Sequence, residues 1–210
     1  MCSQNSTNES SLKRELAELF EAALAAKLHF DIWRVLTNDV DHPKFVDVMG
    51  VYSEFFSLTI SAHRAATVMA LARFFDNKHV SIKTFTRKVS RVTGVDQKKL
   101  ETLRDRIQQI NPLITKVFIL RNKVYGHTSE REDAFKAFKE ADITPNDFRY
   151  LIEETLEVAG DAGKLINVTT GVELPPFFES AIQAVLIDLK RYRESGGELM
   201  ETTGEPRHIA

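Results

Sequence analysis

Apolar residues recur at helical spacing along almost the whole chain, and no segment shows the alternation that is typical of a β-strand. Glycine and proline together account for only fifteen of the 210 residues. The predicted helices span residues 10–36, 43–75, 81–94, 96–125, 144–168 and 176–193, with a short charged segment at 131–141. The pattern therefore predicts an all-α bundle of five to seven helices.

Local signals define several of these boundaries. Ser10 or Ser11 can cap the first helix, and Ser81 can cap the short basic one. Thr144, followed by a proline, is a typical helix start, whereas Pro112 should kink or restart the helix that contains it. A chain of this length suits one domain, which we predict at residues 10–194. Residues 1–9 and 195–210 are expected to be disordered tails.

The composition is that of an ordinary globular protein, with 43% hydrophobic and 28% charged residues. No apolar run approaches the roughly 20 residues of a membrane helix, and the N-terminus lacks the apolar part of a signal peptide. We therefore expect a cytoplasmic protein with no membrane partner. The single cysteine, Cys2, excludes an internal disulfide, and no two histidines have i, i+4 spacing. Neither a metal nor a cofactor is expected.

Positive charge is concentrated in one part of the chain. Residues 78–123 contain twelve Lys or Arg and three Asp or Glu, a net charge of +9, although the whole chain carries -2. A surface of this kind can attract phosphates on an otherwise acidic body. The alternative is that two helices with solvated faces happen to be basic.

The segment "FILRNKVYGHTSE", residues 118–130, contains the least expected feature of the pattern. On a helical wheel of about 100° per residue, the apolar residues after Pro112 fall within an arc of about 140°, and Arg121 lies near its middle. The apolar residues of this arc are Leu113, Ile114, Val117, Phe118, Leu120, Val124 and Tyr125. Arginine keeps its charge at any accessible pH, so burial without a partner is costly. Arg121 can pair with a buried carboxylate, extend to the surface, or serve a ligand at a cleft or subunit interface.

His127 follows Arg121 by six residues and would point away from it on a continuous helix. Gly126 removes that restriction, because glycine readily adopts the left-handed conformation that ends helices. His127 can then return towards Arg121, with the polar Asn122 beside it. Arginine binds phosphate oxygens and histidine transfers protons near neutral pH, so the three residues form a candidate phosphate-handling set.

The spacing Arg121-Asn122-x-x-x-x-His127 resembles the signature of the HEPN superfamily. The stretch "ALARFFDNKHVSIKTF", residues 70–85, is similar to a pattern of the abortive-infection, AbiU-like branch. Residues 137–167 resemble the helix that follows the motif in those proteins. The resemblance covers roughly residues 58–168 and leaves the N-terminal helix and the C-terminal tail without a matching motif.

This resemblance implies a homodimer that cleaves RNA without a metal, as a toxin or phage-defence effector. Arg121 would stabilise the transition state, His127 would act as general base or acid, and Asn122 would orient the arginine or bind the substrate. The 2'-hydroxyl of RNA would be the nucleophile in a cleft shared by two protomers. An antitoxin or a nucleotidyltransferase is a possible further partner.

Four residues are weaker candidates for supporting or RNA-binding roles. Lys123 and Tyr125 lie next to the motif, and Tyr125 can stack on a base or belong to the core. Arg73 and Asp76 have the i, i+3 spacing of a local ion pair, but Asp76 can instead hold a catalytic residue and supply the carboxylate that Arg121 requires.

Two other hypotheses are compatible with the same residues. A HEPN domain without catalytic activity would bind RNA, a nucleotide or a protein partner, and the overall acidity of the chain favours it. A helical scaffold with a coincidental motif would be a monomer in which Arg121 forms an intramolecular salt bridge.

Overall fold

The computed structural model describes the backbone of residues 2–38, 40–77, 80–125, 136–137, 139–168 and 177–196. Within these ranges the chain is helical, without a β-strand, so the all-α prediction is confirmed. The α-helices are α1 Cys2–Thr37, α2 His42–Val51, α3 Ser53–Phe75, α4 Ile82–Val89, α5 Gln97–Gln109, α6 Asn111–Leu120, α7 Pro145–Leu165 and α8 Phe177–Glu194. A π-helix, Arg121–Tyr125, follows α6 directly.

The chain divides into two compact units, and α1 and α3 each contribute a segment to both. Unit 1 comprises Met1–Phe30 and Ala65–Glu173, and unit 2 comprises Asp31–Arg64 and Leu174–Ala210. The prediction of a single domain over residues 10–194 stays a prediction. The predicted C-terminal tail lies outside the described residues, apart from Ser195 and Gly196, which form a turn after α8.

Unit 1 has a core in which α4, α5 and α6 all contact α7. The buried residues of α7 recur at helical spacing and include Phe148, Leu151 and Val158. Phe148 also lies against Phe30 of α1, with 6.5 Å between the ring centroids. Each such side chain contributes roughly 1.5–3 kcal/mol when it is fully buried. This packing holds α6 against α7, and the candidate site begins at the end of α6.

Unit 2 has its own apolar cluster, to which α2, the end of α1, the start of α3 and α8 contribute. Its buried members are Val35, Leu36, Phe45, Met49, Phe56 and Leu186. Lys190 on α8 donates a hydrogen bond of 2.8 Å to the Lys44 carbonyl on α2. Apolar burial and this contact hold α8 against α2.

Helix α1 begins at Cys2, earlier than the predicted start at Ser10 or Ser11. The backbone of residues 2–9 is helical in the structure, and the prediction of a disordered tail over residues 1–9 stays a prediction. Ser11 does not cap the helix, because its hydroxyl donates to the Glu15 carboxylate one turn further on, at 3.2 Å. Serine tolerates a helix interior when its side chain finds such a partner, so the serines gave a misleading start signal.

The predicted helix over residues 43–75 is divided into α2 and α3. Tyr52, with φ -110° and ψ 40°, leaves the helical region between them. Gly50 lowers helix propensity just before the break, by about 1 kcal/mol relative to alanine. The division lets Met49 and Phe56 enter the same apolar cluster.

Helix α3 is long and apolar enough to cross a membrane by length and composition alone, with a mean hydropathy of 1.2 in its most apolar window. The sequence pattern gave no such expectation. Core helices of soluble proteins pass the same test when they are mostly buried, whereas 28% of this window is buried among the described residues, and one such helix is weak evidence for a membrane span. A cytoplasmic location stays a prediction.

Candidate functional site

Arg121 and Asp76 meet in unit 1, although 45 residues separate them along the chain. Arg121 Nη1 donates a hydrogen bond of 2.7 Å to Asp76 Oδ2. The side chain of Arg121 is 25% exposed and that of Asp76 is 18% exposed. The permanent charge on the apolar face therefore has a carboxylate partner and still reaches solvent.

Buried residues just before each side chain fix both partners. Phe74 and Phe75 end α3 immediately before Asp76, and their rings pack edge to face at 4.9 Å. Val117 and Leu120 are buried on α6 immediately before Arg121. The ion pair therefore joins two anchored backbones rather than two mobile loops.

Two further contacts orient the guanidinium of Arg121. Its Nε donates a hydrogen bond of 3.0 Å to Asn122 Oδ1. Its central carbon lies 4.6 Å from the centroid of the Phe118 ring, a cation–π distance. Within the described part of the chain, Nη2 makes no hydrogen bond, so that edge of the fork can donate to an oxygen of a ligand such as phosphate.

The motif begins in a π-helix, which the sequence pattern did not indicate. Hydrogen bonds in this geometry run from i to i+5, so residues after Arg121 are rotated relative to their places on an α-helical wheel. Short π-helical segments occur frequently at functional sites. The wheel identified Arg121 as the anomaly but could not place Asn122 to Tyr125.

Gly126 and His127 lie outside the described residues, so the prediction that Gly126 brings His127 towards Arg121 stays a prediction. Tyr125 is the last residue of the π-helix. Its predicted roles, base stacking or core packing, are likewise not tested.

The remaining supporting candidates have acidic partners. Lys123 forms an ion pair with Glu140. Arg73 lies near Glu18 of α1, with 3.9 Å between the charged atoms. Asp76 was expected either to pair locally with Arg73 or to supply the carboxylate for Arg121, and the structure shows the contact with Arg121.

About half of the basic stretch, residues 78–123, is paired with carboxylates. The paired cations are Lys88, Lys99, Arg106, Lys116, Arg121 and Lys123. Among the described residues, the cations of this stretch without an ion pair are Lys83, Arg87, Arg91, Lys98 and Arg104. They lie on α4, in the turn that follows it, and on α5, so the surface charge available to an RNA backbone is smaller than +9 suggests.

Arg106 illustrates a structural cation rather than a site residue. Its Nε donates to Glu154 at 2.6 Å, and its Nη1 lies 3.3 Å from Asp161, so it joins α5 to α7. The hydrogen bond with Glu154 raises the pKa of Arg106 above its ordinary value, and neighbouring carboxylates add to the effect. Within the described ranges no group of three His, Cys, Asp or Glu is arranged to hold a metal ion.

The comparison with protein families identifies the class of the domain as a HEPN helical domain, which fits the all-α fold. The matching family model is AbiU2, a HEPN family, over residues 9–185, and the chain belongs to this family. The match extends the resemblance of residues 58–168 through most of α1 and into α8. No curated protein and no solved structure matches the chain. The family's name associates the chain with abortive infection.

Proposed function

We propose that this protein is a metal-independent endoribonuclease that acts as a toxin or phage-defence effector. The main supporting observation is the environment of Arg121: Asp76, Asn122 and Phe118 hold the guanidinium, and none of the described residues accepts a hydrogen bond from its Nη2. Membership of a HEPN family named for abortive infection supports the biological context.

The proposed reaction is an internal transesterification of RNA. The 2'-oxygen forms a bond to the adjacent phosphorus as the bond from phosphorus to the 5'-oxygen breaks. His127 takes the proton of the 2'-hydroxyl, and a proton is returned to the leaving 5'-oxygen. Arg121 stabilises the added negative charge on the phosphoryl oxygens, and its partner Asp76 keeps the guanidinium oriented without proton transfer. The products carry a 2',3'-cyclic phosphate and a 5'-hydroxyl.

Two copies of the chain would complete the cleft in the proposed homodimer. An antitoxin or nucleotidyltransferase partner would neutralise the activity in the cell. Growth arrest on expression of the wild type, but not of Arg121→Ala, would support the toxin role.

Purified protein incubated with RNA in excess EDTA tests the activity. We expect cleavage by the wild type, with a rate about 10²–10³ lower for Arg121→Ala because a transition-state donor is removed. We expect a rate about 10²–10⁴ lower for His127→Ala because proton transfer is lost. A strand with 2'-deoxyribose at every position should remain intact.

Arg149→Ala is the matched control, because Arg149 is an exposed arginine on α7, outside the basic stretch. Its rate should stay near that of the wild type. Equal RNA profiles for wild type and His127→Ala would contradict the catalytic proposal.

A second candidate function is binding without cleavage, to RNA, a nucleotide or a protein partner. Internal pairing of half of the basic stretch favours it, together with the net charge of -2. Retained RNA binding with no cleavage by the wild type in the same assay would select this alternative.

A further inference from the structure

A cavity of about 290 Å³ lies in unit 1 between α1 and the C-terminal end of α4. Its lining residues are Ser11, Leu12, Glu15, Lys88, Arg91 and Val92. The volume is close to the lower limit of small-ligand sites, about 300 Å³. The cavity is separate from the side chains that contact Arg121.

Glu15 is the unusual residue of this cavity, because a carboxylate with 4% exposure is rarely left incompletely paired. Its Oε1 accepts hydrogen bonds from Lys88 Nζ at 2.6 Å and from Ser11 Oγ at 3.2 Å. Its Oε2 is buried and has no hydrogen-bond partner among the described residues. A buried acceptor in this state is costly unless a donor reaches it.

The rest of the lining indicates what kind of donor fits. Leu12 and Val92 provide apolar walls, which suit the faces of a flat ring. Arg91 is exposed at the cavity and without an ion pair among the described residues, and Arg87 and Lys83 on α4 are also without one. The buried acceptor fits the N–H group of a base, the apolar walls fit the faces of its ring, and the neighbouring cations fit the phosphates of a nucleotide.

We propose that the cavity binds an RNA base with an exocyclic amino group, which donates a hydrogen bond to Glu15 Oε2. This inference rests on the proposed function, because it takes RNA as the ligand. Lys88 and Ser11 already donate to Oε1, so Oε2 is the atom that can accept one further hydrogen bond, from an amino N–H. A base that presents a carbonyl oxygen at the same position would face the carboxylate unfavourably.

The cavity and Arg121 lie in the same unit, and one ion pair joins α1, which lines the cavity, to α3, which ends immediately before the partner of Arg121. Glu18 lies three residues after Glu15 on α1, about 4.5 Å along the axis, and it contacts Arg73 at 3.9 Å. Arg73 lies three residues before Asp76, the partner of Arg121.

Cytosine and uracil form the sharpest test, because they have the same shape and differ at position 4 in an amino group or a carbonyl oxygen. Hexamers of 2'-O-methylcytidine and 2'-O-methyluridine cannot be cleaved by 2'-hydroxyl attack, so their binding is measured apart from catalysis. By fluorescence anisotropy we expect the wild type to bind the cytidine hexamer about tenfold more tightly.

Glu15→Gln should abolish or reverse this preference. The glutamine carbonyl would take the place of Oε1 beside Lys88, and its NH₂ group would replace Oε2 and donate to the uracil carbonyl. Glu21→Gln is the matched control, since Glu21 is an exposed glutamate on the same helix, and it should keep the tenfold ratio. Equal binding of the two hexamers by the wild type, or an unchanged ratio in Glu15→Gln, would overturn the proposal.

Val92→Trp provides a second variant should Glu15→Gln fail to fold. Val92 is 38% exposed, so the larger ring can fill the cavity without disturbing a packed core. We expect cytidine affinity to fall to the uridine level, and a retained preference would count against the site.

The same binding measurement with cytidine monophosphate shows whether the cavity binds a free nucleotide or a base of an RNA strand. Tighter binding of the hexamer assigns the base to a strand, and equal affinity assigns it to a nucleotide. The cleavage assay is independent of both binding measurements. A base preference without cleavage leaves the cavity standing and removes the nuclease proposal, whereas cleavage without a base preference removes the cavity alone.

Discussion

At the residue scale, Arg121 is a permanent charge that lies three-quarters buried beside one carboxylate, one amide and one ring. The sequence predicted that an arginine in this apolar arc required a partner, because arginine cannot lose its charge. Asp76 was one of the candidates. The geometry of the pair depends on where α3 ends and where the π-helix begins, so spacing alone could not show that the pair forms.

The coupling between Asp76 and Arg121 can be measured with a double-mutant cycle. Asp76→Asn and Arg121→Gln should each lower the free energy of unfolding by about 1–3 kcal/mol, because a hydrogen bond to a charged, partly buried group is lost. The double variant should lose less than the sum of the two, with a coupling of about 0.5–3 kcal/mol. Urea denaturation at neutral pH provides the measurement.

The pair of Arg73 and Glu18 is the control for this cycle. Its side chains are 56% and 36% exposed, and 3.9 Å separates the charged atoms. Its coupling should be about 0–1 kcal/mol. A coupling for Asp76 and Arg121 that is no larger than this would contradict the view that the guanidinium is held in place.

At the scale of elements, helix boundaries with strong capping chemistry were predicted well. Ser81 and Asp96 cap α4 and α5, as the sequence indicated, and a new helix begins at Asn111 with Pro112 in its first turn. Each of these signals acts through a local hydrogen bond or a missing N–H, so it can be read from a few residues.

Boundaries that depend on tertiary packing were not predictable in this way. The break at Tyr52 has no proline and follows from the shared cluster of Met49 and Phe56. The π-helix at Arg121–Tyr125 also lacks a local signal. The unsatisfied Oε2 of Glu15 could not be predicted from the sequence, because it depends on the distance between α1 and α4.

The start of α7 offers a pH-dependent test of capping. The backbone N–H of Thr144 donates to Asp147 at 2.8 Å and its hydroxyl at 2.9 Å, and the backbone bond is the main cause that lowers the pKa of Asp147. A lowered folded-state pKa stabilises the protein above the unfolded pKa of about 3.9 and ceases to do so as the pH falls through the folded value. Asp147→Asn should therefore lower the free energy of unfolding at pH 7, and this difference should disappear at strongly acidic pH.

Urea denaturation across the pH range checks this expectation. Thr144→Ala should cost about 1 kcal/mol at pH 7 through loss of the cap. Asp188→Asn is the control, because Asp188 is 77% exposed on α8 and lies 3.9 Å from Arg191. A pH-independent loss in Asp147→Asn would show that the carboxylate charge is not what stabilises the helix start.

At the scale of the whole molecule, the fold class and family follow from patterns that span many residues. The all-α pattern is distributed over the entire chain, and the AbiU2 match covers residues 9–185. Charge was less informative, since the +9 of residues 78–123 gave no indication of which lysines and arginines are paired.

The proposed composite cleft predicts a dimer. Static light scattering should give twice the 23.9 kDa mass of one chain at the concentration at which RNA is cleaved. Cleavage should decline on dilution below the dimer dissociation constant, because each cleft needs two protomers. A monomer that cleaves RNA with a rate per chain independent of concentration would contradict the shared cleft.

Lys116 and Lys123 form ion pairs with Asp142 and Glu140, which follow the motif in the sequence. Lys123 contacts Glu140, and Lys116 donates to the carbonyl of Asp142, so the chain after the motif returns to the helix that carries it. These two contacts hold residues on either side of the motif's second half together. In the proposed mechanism, the number of residues between Lys123 and Glu140 would therefore set the effective concentration of the His127 imidazole near Arg121. Doubling a flexible loop costs only about 0.6 kcal/mol in closure entropy, which corresponds to roughly a threefold dilution. Insertions between these two contacts are therefore expected to lower the proposed cleavage rate only by a small factor.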